Sequence, residues 1–332
     1  MLCYTYMSTM KVKLILLFMF FNNLLFSQMI DSIAIPERLE SYIRLKYDND
    51  FFSATDRYYT QGIQLSIIHR IIKYSPISYA LIPLNKKAIN YYGLHFEQDC
   101  FTPKSIRYDT LNYLERPFAA TFFMSHTLNS LNPKKKIALL TQLDLGVIGP
   151  CARCEDEQKA IHRSLLNIQP LGWENQLQTD YIINYNLRFE KGLFNKKHRE
   201  IIGDAAVRLG TLYTDVSMGL IGRMGFFSGY FNNLGMDKYA IERKSNFQFY
   251  GILKANVKAV VYNATLQGGM FNDQSVYTIA DNRVTRVVVE GMAGIVLTYK
   301  RLGLEYSKFY LSKEFKEGLE QRWGRCVITY CF

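Results

Sequence analysis

Two places in the sequence combine residue types that can do chemistry with a spacing that lets them cooperate. In "EDEQKAIHRSLL" (155–166), Gln158 and His162 are four residues apart, so on a helix an amide and an imidazole share one face. Just upstream, Cys151-Ala-Arg-Cys154 has the spacing of a thiol redox pair or of half a zinc site. No second CxxC or CxxH completes a tetrahedral metal site, which leaves a local disulfide or two free thiols. The other cysteines are Cys3, Cys100, Cys326 and Cys331. If Cys3 leaves with an N-terminal leader, the remaining count is odd, and one thiol is unpaired or pairs between chains.

The helix that would position Gln158 and His162 is legible from its punctuation. Glu155, Asp156 and Glu157 stand at its start, Arg163 near its end and Pro170 beyond it, the order that the helix dipole and proline chemistry favour. Most of the remaining chain reads with a period of two. "SYIRLKYDND" sets Ile43, Leu45 and Tyr47 against Arg44, Lys46, Asp48 and Asp50. "YYTQGIQLSI" sets Tyr59, Ile63, Leu65 and Ile67 against Thr60, Gly62, Gln64 and Ser66. If the apolar faces meet lipid, Asp50 and Thr60 both point into a barrel lumen.

Composition and the chain ends agree with that reading. The chain has 24 Tyr and 22 Phe against 2 Trp, a bias towards pleated surfaces. Lys11 and Lys13 precede the apolar run 14–27, which Asn22 and Asn23 interrupt. This is the layout of a signal peptide over residues 1–28 rather than of a spanning helix of roughly 20 apolar residues. No later segment is apolar enough to span as a helix, so the expectation is an exported protein: periplasmic, secreted or an outer-membrane barrel. The final "RCVITYCF" alternates and ends on Phe332, resembling the closing strand of outer-membrane barrels. A net charge of +11 favours anionic partners, and export argues against nucleic acid. The expected fold is therefore all-β: one transmembrane antiparallel barrel of about 12 strands over residues 29–332, with a short helix around 155–163 at its mouth.

Four blocks in order sharpen this into a family. They are "DNDFFSATDRYYTQG" (49–62 within it), "FTP" (101–103) with "RPFAA" (116–120), "LDLGVIGPCARCEDEQKAIH" (143–162), and "PLGWENQL" (170–177). Together they resemble the lipid A 3'-O-deacylases of the outer membrane, the LpxR-like barrels. They cover most of residues 42–190, and the remainder agrees only as a generic alternating barrel. The departures are Gln61 within Tyr59-Thr60-Gln61-Gly62 and Phe118 within Arg116-Pro117-Phe118, where the family usually has Asn and Tyr, and the CxxC itself.

The resemblance implies an outer-membrane esterase that removes the 3'-linked acyloxyacyl chain of lipid A with the help of Ca2+. The expected partners are lipopolysaccharide and other outer-membrane lipids, and the expected state is a monomer. By motif match its functional positions are Asn49, Asp50, Thr60, Gln158 and His162. His162 would act as general base on a water. Asp50 would hold the cation, Asn49 or Thr60 would support the metal shell or the oxyanion, and Gln158 would orient water or substrate. The implied picture has the helix packing across the barrel mouth and presenting His162 to a lumenal carboxylate. No Gly-x-Ser-x-Gly elbow supports a serine nucleophile at Ser53 or Ser66. The competing readings are a non-catalytic porin or lipid-binding barrel, an esterase acting on phospholipids, and a soluble periplasmic β protein. Trp173 would either anchor at a membrane interface or pack its loop, and Lys104, Arg107 and Arg116 are candidates to meet lipid phosphates.

Overall fold

Alternation closes into a barrel when every strand finds an antiparallel neighbour on both sides, and the twelve strands here do so. The computed structural model describes residues 41–53, 57–164, 166, 168–232 and 247–332. The expected signal peptide over 1–28, and Asp56 of the first sequence block, lie outside these residues. The strands are β1 (Tyr42–Asn49), β2 (Tyr58–Ile68), β3 (Ile89–Thr102), β4 (Ala119–Asn132), β5 (Ile137–Ile148), β6 (Asp180–Lys196), β7 (Arg199–Gly210), β8 (Tyr213–Phe226), β9 (Phe247–Asn263), β10 (Val287–Tyr299), β11 (Leu302–Leu311) and β12 (Gln321–Cys331). Closure comes from β1 against β12, in register from Tyr42 opposite Cys331 to Asn49 opposite Gly324. The expected helix is present as α1 (Cys154–Ser164), with a single-turn α2 (Ala264–Gln267).

The wall is apolar outside and polar inside. Ile43, Leu45, Leu65, Phe96, Phe122 and Ile183 are exposed on the outer face. The alternate residues turn inward and pair: Arg325 donates to both oxygens of Asp48 at 2.7 Å, Lys46 meets Glu97 at 2.5 Å, and Arg223 pairs with Glu200. This inversion of the soluble pattern is what a barrel surrounded by lipid requires.

One register shift decides which residues reach the site. Tyr59 pairs with Phe101 and Gln61 with Cys100, so Thr60 is an extra residue in β2. A bulge of this kind reverses the parity of everything beyond it. Tyr59 therefore turns inward, where its hydroxyl bridges Asp48 at 3.0 Å and Asp99 at 2.7 Å. Gly62 makes room for it, since a Cβ there would stand 1.9 Å from the Tyr59 hydroxyl. The strict alternation expected Tyr59 outside and Thr60 inside; the bulge corrects both.

The connections that follow odd-numbered strands all emerge at one end of the barrel. On the inner face at that end Phe101, Ala119, Phe123, Ile148 and Leu177 form an apolar layer. The Arg116 guanidinium lies over the Phe101 ring at 4.3 Å, bonds to Thr265 Oγ1 at 3.0 Å and pairs with Glu314 at 3.5 Å. Burial pushes its pKa down and Glu314 pushes it back up. Arg116 is 1% exposed, so it braces the barrel mouth instead of meeting a lipid phosphate; Lys104 and Arg107 are exposed in the same loop.

Candidate active site

The long β5–β6 connection carries α1, and its buried stripe is Cys154, Gln158 and His162, one residue per turn. Each of the three is pinned. Cys154 is disulfide-bonded to Cys100 of β3, with a Cα separation of 5.7 Å. Gln158 Oε1 accepts the indole N–H of Trp173 at 2.7 Å. His162 Nδ1 meets the carbonyl oxygen of Ile168 at 2.5 Å. A carbonyl only accepts, so in that bond Nδ1 carries the proton and the neutral ring keeps its free lone pair on Nε2.

The disulfide corrects the expectation of a local Cys151–Cys154 bridge or two free thiols. The CxxC spacing is incidental to the bond, because Cys154 reaches across 54 residues to the barrel wall. It also locates the helix. Cys100 shares the outward parity of exposed Phe96, and so does Gln98, whose amide donates to the Ala152 carbonyl at 2.7 Å. Hence α1 lies against the outer side of the wall at the barrel's rim, not across the lumen, and His162 does not face a lumenal carboxylate.

The wall residues named from the sequence gather on this same side. The Thr60 and Thr102 hydroxyls are 2.7 Å apart, and Thr102 shares the outward face of Cys100. Next to Thr60, the Gln61 amide donates to Glu157 Oε1 of α1 at 2.6 Å. Asn49 ends β1; its amide donates to the Tyr47 hydroxyl at 3.0 Å, while its Oδ1 accepts the Phe51 N–H at 2.8 Å. Asp50 is not a strand residue with lumenal parity. It opens the tight turn Asp50–Ser53 and is buried, and both it and Glu157 lie within Coulombic range of the Tyr47 phenol.

The structure thus brings Asn49, Asp50 and Thr60 to the rim of the wall and Gln158 and His162 to the helix face packed on it. No hydrogen bond among the described residues joins His162 directly to Asn49, Asp50 or Thr60. Tyr47 and Glu157 were missed in the sequence. Tyr47 read as a lipid-facing alternate and Glu157 as a first-turn acid, and only the seating of α1 outside the wall brings the two together.

Two features of the site have chemical consequences. Gln158 Nε2 is buried with no hydrogen-bond partner among the described residues, leaving a donor available to an incoming oxygen. The acidic and amide oxygens of Asp50, Asn49 and Glu157 are hard donors of the class calcium takes. Among the described residues no group of three or more His, Cys, Asp or Glu is arranged to hold a metal. A cation at Asp50 would therefore complete its shell with carbonyl, amide or water oxygens.

A family model described as outer membrane protein LpxR matches residues 14–332. The chain belongs to the LpxR family. Among solved structures, LpxR from Salmonella typhimurium superposes with a TM-score of 0.70 at 19% identity, covering 88% of this chain and 100% of that one. The β domain of the Bordetella autotransporter BrkA gives 0.44 at 8% identity over 88% of this chain and 97% of that one. No curated protein matches by sequence. The closed twelve-stranded barrel with its short helix, expected from alternation and chain length, matches the LpxR fold, and the family is one of the outer membrane.

In this LpxR-family chain Trp173 is not an interfacial anchor. It is 0% exposed, tilts against Phe118 at 4.8 Å between ring centroids and holds Gln158. Gly172, at φ 95°, supplies the left-handed residue that starts the turn burying it. Trp173→Phe keeps an aromatic side chain of smaller volume and removes the N–H donor, leaving the whole Gln158 amide unpaired. At about 1.4 kcal/mol for one such bond, hydrogen exchange of the α1 amides should speed up roughly tenfold. Unchanged exchange would show that Trp173 does not hold the helix.

Proposed function

We propose that this protein is an outer-membrane esterase that hydrolyses the 3'-linked acyloxyacyl chain of lipid A, using water activated by His162 with calcium assistance. Residues 1–28 direct its export, and 29–332 form the deacylase barrel, acting as a monomer. Membership of the LpxR family supports the reaction class. The observation that carries the mechanism is the Nδ1 bond of His162 to the Ile168 carbonyl, which leaves Nε2 as the basic nitrogen of a ring fixed in orientation.

In this mechanism Nε2 of His162 takes a proton from the attacking water as it adds to the ester carbonyl, and returns it to the departing 3'-oxygen as the tetrahedral intermediate collapses. Gln158 Nε2 donates to the developing oxyanion. Asn49, fixed by Tyr47, and Thr60, fixed by Thr102, position the acyl ester along the outer wall, where a lipid can arrive laterally without leaving the bilayer. Asp50 would hold the calcium ion, which when bound supplies positive charge to polarise the ester carbonyl. Seating the site outside the wall supports a membrane lipid as substrate over a solute passing through a porin, because the polar lumen and the helix are on opposite sides of the strands.

The test is mass spectrometry of lipid A from cells expressing the protein, with and without a calcium chelator. The expected result is a mass loss equal to one acyloxyacyl group, suppressed by chelator and restored by calcium. Unaltered lipid A with the barrel folded in the outer membrane would overturn the substrate assignment. Release of fatty acid from phospholipid in the same cells would replace it with the phospholipid reading.

A further inference from the structure

The connection between β2 and β3, residues 69–88, emerges at the end opposite the site and turns back along the outer wall. It is built of two tight turns, Arg70–Tyr74 and Pro76–Ala80. Three hydrogen bonds lay it across three strands: Ser78 Oγ with His126 Nε2 of β4 at 2.8 Å, Thr141 Oγ1 of β5 to the Ile82 carbonyl at 2.7 Å, and the Tyr185 hydroxyl of β6 to the Ala80 carbonyl at 2.7 Å. By strand parity these wall residues point outward with exposed Phe122, Leu145 and Ile183. His126 and Thr141 are polar positions on a lipid-facing surface, yet both are buried. The connection pairs His126 Nε2 and the Thr141 hydroxyl, polar atoms that hydrocarbon would leave unpaired, so it is part of the membrane-facing surface.

What this segment turns outward is amphipathic. Ile71, Tyr74, Tyr79 and Ile82 are 65, 75, 71 and 51% exposed. Arg70, Lys86 and Lys87 are exposed and Lys73 half-exposed, and residues 69–88 contain no Asp or Glu. Apolar and tyrosyl side chains interleaved with uncompensated cations, on the outer wall of a membrane barrel, are the pattern of an element lying in the bilayer interface.

We propose that residues 69–88 are an interfacial strap that binds anionic glycerophospholipid, with Arg70, Lys73, Lys86 and Lys87 on the headgroup phosphates and Ile71, Tyr74, Tyr79 and Ile82 in the upper acyl region. The choice of glycerophospholipid rests on the reading given under Proposed function: if the α1 end works on lipid A, the strap end meets the other leaflet. The strap then fixes the height and tilt at which the site end meets its substrate.

The test is native mass spectrometry of the full-length barrel released from bilayers of equal phosphatidylglycerol and phosphatidylcholine. The wild type should retain phosphatidylglycerol preferentially. Replacing Arg70, Lys73, Lys86 and Lys87 by Gln should erase that preference, at about fivefold in relative affinity per cation. Equal retention of the two lipids by the wild type, or a preference that survives neutralisation, would overturn the strap. Should lipopolysaccharide, added to the same bilayers, displace phosphatidylglycerol from the wild type and depend on the four cations for its own retention, the glycerophospholipid assignment is overturned.

A second measurement does not depend on the folding of the fourfold variant. A Tyr79→Trp protein should gain fluorescence that lipids brominated near the glycerol backbone quench, and no quenching of the added signal would place the strap in water. Lipid A hydrolysis by the wild type separates this proposal from the one it rests on. A wild type inactive on lipid A but selective for phosphatidylglycerol defeats the deacylase reading and leaves the strap standing.

Discussion

A His162→Ala protein is expected to fold and insert normally but to lose lipid A deacylation by a factor of about 10² to 10⁴, the usual contribution of a general base. The loss should appear in kcat, because the imidazole acts on the water and not on the acyl chain. Heat-modifiable migration on a gel reports whether the barrel is intact. His162 is the last residue of the pinned stripe, so its removal leaves the Cys100–Cys154 bond and the Trp173 contact to Gln158 in place. His162→Gln is a useful companion. It can restore the bond to the Ile168 carbonyl but offers no basic nitrogen, so it should be as inactive as the alanine protein if proton transfer is the role. Recovery of activity in the glutamine protein would mean that the histidine serves only to hold the Ile168 carbonyl.

The helix itself was the most legible part of the chemistry. Its charge order and the Gln158–His162 spacing predict an element over 155–163, and α1 runs from Cys154 to Ser164. The barrel was legible because a period of two with an apolar outer face has few other solutions. What the sequence hid is the side of the wall on which the chemistry sits. Parity counted from Leu65 puts Thr60 in the lumen, and a single extra residue in β2 reverses it. This bulge leaves no mark in composition, since Thr60 and Gln61 are both acceptable strand residues.

Asp50 was displaced for a related reason. Alternation has no meaning past the last paired residue, Asn49, because the chain enters a turn at Asp50. The Cys100–Cys154 bond was out of reach because a CxxC spacing says nothing about partners distant in sequence. Once known, it is the restraint that puts α1 outside the barrel. Trp173 shows the same limit from the other direction: an aromatic in a loop reads equally as membrane anchor or as packing, and only its 0% exposure decides.

The second large effect is expected at Asp50. If its carboxylate holds the calcium ion, Asp50→Asn removes the charge while keeping the shape, and activity at low calcium should fall by about 10² or more, the scale of a lost electrostatic contact to a developing oxyanion. Raising calcium should recover part of that loss, since a neutral amide oxygen still ligates a hard cation weakly; Asp50→Ala should not recover. Terbium luminescence, excited through nearby aromatics such as Tyr47, gives a readout independent of turnover, and its binding midpoint should move to higher concentration in Asp50→Asn. Glu157→Gln distinguishes a ligand from a neighbouring charge. Glu157 already accepts from Gln61, so its neutralisation should weaken the cation through lost field alone and cost less than the same change at Asp50. Equal effects at the two carboxylates would make Glu157 a second ligand, and an unaltered midpoint in Asp50→Asn would move the cation away from the turn that follows β1.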